Sequence, residues 1–235
     1  MKRVFITATL MLLLTSLAAP QERLAGFVEV RDELKHEVLK DQSGVAVWLV
    51  PLDPDEARIS PVSAHPTQYQ MLQHDKRFEP HLLVVPVGSS VKFPNLDPWF
   101  HNVFSLYRGK RFDLGLYQAG SQKTVQFDRP GASYIFCNIH PEMSAVVLAV
   151  ESHLIGISDR TGHVSISDVP PGRYRLHLWY EFAANPSQLE SHEITVGASD
   201  TSFGRLEIAA KTNRDPKHKN KYGQDYDPES MTPEY

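Results

Sequence analysis

Ser133-Tyr134-Ile135-Phe136-Cys137-Asn138-Ile139-His140-Pro141-Glu142-Met143 is the stretch on which the reading of this chain turns. Ser133 to Phe136 alternates and is rich in aromatic residues, the pattern of a half-buried strand, and it runs directly into Cys137. Ser144 to Val150 follows as a second apolar run, rich in valine and read as a second strand. The five residues between Cys137 and Met143 are then a tight loop, presenting Cys, His and Met at one end of a sheet. Upstream, Asn95-Leu96-Asp97-Pro98-Trp99-Phe100 forms a Pro- and Asn-containing turn that delivers His101 to a third apolar segment, His101-Asn102-Val103-Phe104.

A lone cysteine is usually a small buried hydrophobe and a lone methionine is usually core packing, so neither side chain decides anything singly. The combination does. His101, Cys137, His140 and Met143 supply two imidazoles, one thiolate and one thioether, the donor set of a mononuclear blue-copper centre with a weak axial Met. Thiolate is soft and imidazole borderline, so the set suits both cuprous and cupric copper, and hence electron transfer. The only cysteine of the chain lies in this motif. Structural zinc prefers closed tetrahedral sites of Cys, His and carboxylate, and methionine serves it poorly. Glu142 lies inside the loop, but beside Pro141 and with Met143 intact it is not needed as a ligand.

The eleven histidines are His36, His65, His74, His81, His101, His140, His153, His163, His177, His192 and His218, and no two are separated by a single residue. A second, catalytic copper cluster built on His-x-His pairs is therefore not expected, and the chain is read as a carrier rather than an enzyme. His81 is read as structural, opening a strand at a sheet edge.

The region from about residue 68 to 151 resembles the cupredoxins, the Greek-key β-sandwich family of plastocyanin, pseudoazurin and amicyanin. The matching features are Val87-Gly88-Ser89-Ser90-Val91-Lys92-Phe93-Pro94-Asn95, then His101-Asn102-Val103, then Gly131-Ala132-Ser133-Tyr134-Ile135-Phe136-Cys137. The short Cys-x-x-His-x-x-Met spacing is nearest to that of amicyanin. The resemblance implies one type 1 copper ion with His101, Cys137 and His140 equatorial and Met143 axial. It also implies that Asn102 and Asn138, each following a ligand, tie the two ligand loops together. The implied function is one-electron transfer between redox partner proteins, through His140 and an apolar patch. Trp99, Phe100 and Pro141 are the candidates for that patch, with Trp99 and Phe100 equally readable as core. The alternative is a copper-handling or interaction protein, although the chain lacks the Met- or His-rich runs such proteins carry.

Met1-Lys2-Arg3 followed by an apolar run of 14 residues, Val4 to Leu17, with Ser16-Leu17-Ala18 supplying small residues, reads as a signal peptide over residues 1–18. Fourteen residues fall short of the roughly 20 needed to span a bilayer, so no stable membrane insertion is expected. The expected compartment is the periplasm. The formal net charge is −4, and loss of Lys2 and Arg3 with the leader leaves 22 basic against 28 acidic residues. That balance argues against nucleic acid as a partner. A single cysteine also means that stability comes from the core and the metal, with no internal disulfide.

Residues 152–209 read as short strands punctuated by turns. Asp159-Arg160-Thr161-Gly162 is a hairpin turn, and Val169-Pro170-Pro171-Gly172-Arg173-Tyr174 precedes an alternating run to Trp179. This resembles the transthyretin-like, carboxypeptidase-regulatory β-sandwich, with Val164 where that family usually has Phe. The expected architecture is all-β. Residues 21–53 supply the first strands of this second sandwich, 54–67 form a linker, and the cupredoxin is inserted before residues 152–209. The alternative makes residues 21–53 extra strands of the cupredoxin. Residues 210–235 are polar and carry few apolar side chains, so the expectation there is disorder. Across roughly Leu24 to Ile208 the chain is similar to exported cupredoxin-containing proteins often labelled methylamine utilization proteins.

Overall fold

The computed structural model describes residues 23–53, 68–106, 109–185, 191–197, 202–211 and 219–225. The expected signal peptide and the 54–67 linker lie outside the described residues. The chain is all-β. Its strands are β1 (Leu24–Asp32), β2 (Ala46–Pro51), β3 (Tyr69–Gln70), β4 (Leu72–His74), β5 (Arg77–Glu79), β6 (Leu82–Pro86), β7 (Ser90–Pro94), β8 (His101–Ser105) and β9 (Phe112–Tyr117). They continue with β10 (Gln122–Gln126), β11 (Gly131–Phe136), β12 (Ser144–Val150), β13 (Leu154–Ile157), β14 (His163–Ile166), β15 (Gly172–Trp179), β16 (His192–Val196) and β17 (Ser202–Ala210).

Four of the sheets stack in layers. Sheet β10-β7-β3 faces sheet β6-β12-β11-β8-β9 across a core containing Phe93, Phe127, Val103, Ile135 and Val147. Sheet β13-β2-β15-β16 faces sheet β14-β1-β17 across a second core containing Leu24, Leu49, Ile166, Tyr174 and Leu176. A third, smaller cluster joins the two sandwiches: Ala46, Trp48, Ile155 and Trp179 pack on Leu82, Val84, Leu148 and Val150.

The sequence pattern follows from this layering. β1 serves one core only, and its buried positions Leu24, Gly26, Val28, Val30 and Asp32 fall on alternate residues of one face. β12 is buried at every position from Ala145 to Val150, because Val147 and Ala149 enter one core while Leu148 and Val150 enter the joining cluster. A strand covered on both faces reads as a continuous apolar run rather than an alternation. β2 does the same with Val47 and Leu49 on one side and Ala46 and Trp48 on the other.

β2 pairs antiparallel with β13 and β15, and β1 pairs with β14 and β17. The ladder partners of the first two strands thus come from residues 154–210, on the far side of the segment that carries His101 and Cys137 in sequence. Val164 is fully buried in the core those strands enclose. A Cβ at Gly156 would lie 2.7 Å from Val164 Cγ1, so the space beside Val164 depends on the glycine opposite. Tyr174 Oη donates to Pro170 O at 2.7 Å and pins the turn before β15.

His81, just before β6, spans the junction of the sandwiches. Its Nε2 lies 2.6 Å from Glu181 Oε2 and its Nδ1 lies 3.1 Å from Ser144 O. The hydrogen bond to Glu181 holds the His81 pKa above its ordinary value.

Candidate metal centre

Cys137 directly follows β11, and its sulfur enters the core; the residue is fully buried. The loop closes on itself: Cys137 N–H donates to Met143 O at 3.2 Å and Met143 N–H to His140 O at 3.1 Å. Phe136 pairs with Ser144 immediately outside, so the ends of β11 and β12 fix the loop. β8 lies on the other side of β11, with Phe104 opposite Phe136, and this places His101, the first residue of β8, beside the loop.

Three of the four expected side chains converge. His101 Nδ1 lies 3.1 Å from His140 Nδ1, and Cys137 Sγ lies 3.9 Å from His101 Nδ1 and 3.6 Å from His140 Nδ1. Bonds of about 2.0 Å to nitrogen and 2.3 Å to thiolate, splayed at trigonal angles, separate such donors by about 3.5 Å (N to N) and 3.7 Å (N to S). The observed triangle is within a few tenths of an ångström of that spacing, and the residues present fit a single metal ion. Met143 is fully buried in the same core cluster as Cys137. Glu142 is exposed and does not belong to the cluster of possible ligands. His81 does not belong to it either.

Burial is the largest influence on the protonation of all three donors. Burial pushes the Cys137 thiol pKa up, while backbone N–H groups of Asn102, Ile139 and His140 directed at the sulfur act the other way and favour thiolate. Burial lowers the His101 pKa, and burial together with nearby His101 and Lys76 brings that of His140 down to about 4. Both rings are therefore neutral near pH 7, the form in which imidazole coordinates. The sign for stability follows. Between about pH 4 and the ordinary histidine value of about 6.5, the unfolded chain binds a proton at residue 140 that the folded chain does not. Stability of the metal-free protein should rise with pH across that window. His140→Gln should flatten the rise in urea unfolding curves at pH 4.5 and 6.5; an unchanged slope would contradict the assignment.

Sequence reading gave no role to Asp97. Its carboxylate is 3% exposed and accepts three hydrogen bonds: from His101 Nε2 at 2.8 Å, Asp75 N–H at 2.7 Å and Lys76 N–H at 2.9 Å. Burial alone would raise its pKa, but these donors hold the carboxyl below its ordinary value. Asn95 shapes the loop, its Oδ1 accepting Asp97 N–H at 3.0 Å and its Nδ2 donating to Trp99 O at 2.7 Å. With Nε2–H bound to Asp97, the free Nδ1 lone pair of His101 is the one that faces Cys137 and His140.

Leu96 and Phe100, on the loop that carries His101, are 56% and 50% exposed, and Leu116 of β9 is 59% exposed. Trp99 is partly buried with the Lys76 ammonium 5.0 Å from its ring centroid, so Phe100 is the surface residue of the pair. His140 and Pro141 are partly exposed, on the loop that brings His140 beside His101.

No protein-family model and no curated protein matches the chain. Solved structures do. A copper-containing nitrite reductase from Thermus scotoductus is 26% identical over 44% of this chain, with a TM-score of 0.36. The match spans 28% of that enzyme's length. A purple cupredoxin from Nitrosopumilus maritimus is 23% identical over 35% of this chain and 100% of its own, with a TM-score of 0.33. An oxidised amicyanin variant is 18% identical over 37% of this chain and 87% of its own, with a TM-score of 0.34.

Proposed function

We propose that His101, Cys137, His140 and Met143 would hold one type 1 copper ion, and that the protein carries single electrons between periplasmic redox partners. The observation that carries this reading is the triangle of two imidazole Nδ1 atoms and one cysteine sulfur, with separations of 3.1, 3.6 and 3.9 Å. Copper, when bound, supplies a one-electron couple between cuprous and cupric forms. The chain's residues do the rest. Asp97 fixes the His101 ring, the closed 137–143 loop fixes Cys137 and His140, and burial of Cys137 and Met143 keeps water from the sulfur side. A site that is rigid before the metal arrives changes little between oxidation states.

The partly exposed His140 offers the exit for the electron, and Phe100 and Leu96, exposed on the loop that carries His101, are the apolar residues proposed to meet a partner there. Residues 1–18 act as the export signal, and residues 21–53 with 152–209 form a sandwich into which the copper-carrying 68–151 unit is inserted. Among the described residues no helix is long and apolar enough to cross a membrane. A carrier, not an enzyme, is the reading favoured by the absence of any His-x-His pair in the sequence.

Voltammetry on the copper-loaded protein tests transfer: a reversible one-electron wave with fast self-exchange is expected. Phe100→Asp should slow self-exchange about tenfold at low salt, because two like charges must then meet at the contact. Slow, irreversible redox with ready loss of copper to a chelator would favour copper handling instead.

A further inference from the structure

Asn102 follows His101 and Asn138 follows Cys137, and the cupredoxin resemblance implies that they tie the two ligand loops to each other. The structure routes the tie differently. Asn102 Nδ2 donates to Asp113 Oδ1 of β9 at 2.7 Å, and Asn138 Oδ1 accepts the backbone N–H of Lys221 at 3.0 Å. Lys221 closes the circuit, its Nζ donating to Asp113 Oδ2 at 2.9 Å. The path therefore runs from His101 through Asn102, Asp113, Lys221 and Asn138 to Cys137.

Lys221 belongs to the polar C-terminal segment in which composition predicts no structure. Residues 219–225 depart from that expectation because a local turn gives them one. Asn220 Oδ1 accepts N–H from Tyr222 at 2.9 Å and Gln224 at 3.0 Å, and Gly223 N–H returns to Asn220 O at 2.9 Å. The turn presents Lys221 as a unit, at little entropic cost beyond the turn itself. Asp113 is equally prepared: it accepts Gly115 N–H at 2.9 Å besides Asn102 and Lys221. An exposed Lys–Asp pair alone contributes little. Here the backbone N–H of one residue grips the Cys137 loop while its ammonium reaches the His101 strand through Asp113 and Asn102.

We propose that the 219–225 turn is a clamp on the metal centre and that Lys221 is a positioning residue, holding the Cys137 loop against the His101 strand. The inference rests on the copper reading of the site. It assigns the C-terminal segment a part in setting how tightly the metal is held.

The test uses the full-length chain and four forms: wild type, Lys221→Met, Lys221→Arg and Asn220→Ala. Copper release to a chelator is expected to be about tenfold faster in Lys221→Met and Asn220→Ala, the low end of what outer partners of metal ligands contribute. Lys221→Arg should stay within about twofold of wild type, since it keeps the donor. The reduction potential should shift in Lys221→Met and Asn220→Ala, although Asn220→Ala retains the lysine charge. In the metal-free protein, the Lys221 amide should be protected from hydrogen exchange in wild type and lose protection in Asn220→Ala. Equal release rates and potentials in four coloured proteins, or an unprotected wild-type Lys221 amide, would overturn the clamp alone. A wild-type chain that develops no thiolate-to-copper absorption would overturn the copper reading, and the clamp's role with it.

Discussion

Cys137→Ala is expected to abolish the intense visible absorption of the copper-loaded protein while leaving the fold intact. The band needs a thiolate bonded to cupric copper, and Cys137 is the only cysteine in the chain, so no other residue can supply it. The substitution removes one sulfur from a fully buried position, a small volume change that the core tolerates at a cost of about 1–2 kcal/mol. Met143→Gln makes the complementary point. A weak axial donor tunes the centre without creating it, so colour should persist with a shifted band and potential. Absorption spectra of the two copper-loaded variants, each with a circular dichroism control, decide the matter. Colour surviving the loss of Cys137 would refute the site.

Asp97→Ala is expected to have the second largest effect, on both metal binding and stability. Because burial keeps His101 neutral, the 2.8 Å contact is a charge-assisted hydrogen bond to a carboxylate rather than an ion pair. Hydrogen bonds to charged groups contribute about 1.5–3 kcal/mol. Alanine also leaves the Asp75 and Lys76 amides and the His101 Nε2–H without their acceptor. A loss of about 3 kcal/mol in the metal-free protein is the expected result, measured by urea unfolding. Copper affinity should fall on the order of 10–100-fold, measured by chelator competition, because the His101 ring is then free to turn. Asp97→Asn retains one acceptor oxygen and should lie between alanine and wild type. An alanine variant unchanged in both measurements would mean that the carboxylate neither orients the ligand nor supports the loop.

The parts of this architecture written in local pattern were legible in the sequence. The strand–loop–strand at Ser133–Val150 announces itself by alternation, then a loop of ligand-type residues, then valines. The double-sided burial of β12 appears as an uninterrupted apolar run. Asp97 was invisible for a physical reason: its partners at residues 75 and 76 lie in a turn 22 and 21 positions away, and no periodicity links a loop carboxylate to distant backbone amides. Lys221 was hidden more deeply. Its bond to Asp113 spans 108 residues, and composition can show that a segment lacks a core of its own without showing that one turn of it docks elsewhere. Trp99 and Phe100 were indistinguishable as adjacent aromatics, and only the loop geometry set by Asn95 turns Phe100 outward.

The most direct measurement is the absorption and electron paramagnetic resonance spectrum of the full-length protein loaded with one equivalent of cupric copper. The account predicts an intense visible thiolate charge-transfer band and the narrow copper hyperfine splitting of a covalent copper–sulfur bond. Bound copper showing only weak visible absorption and wide hyperfine splitting would place the metal away from the sulfur of Cys137 and contradict it.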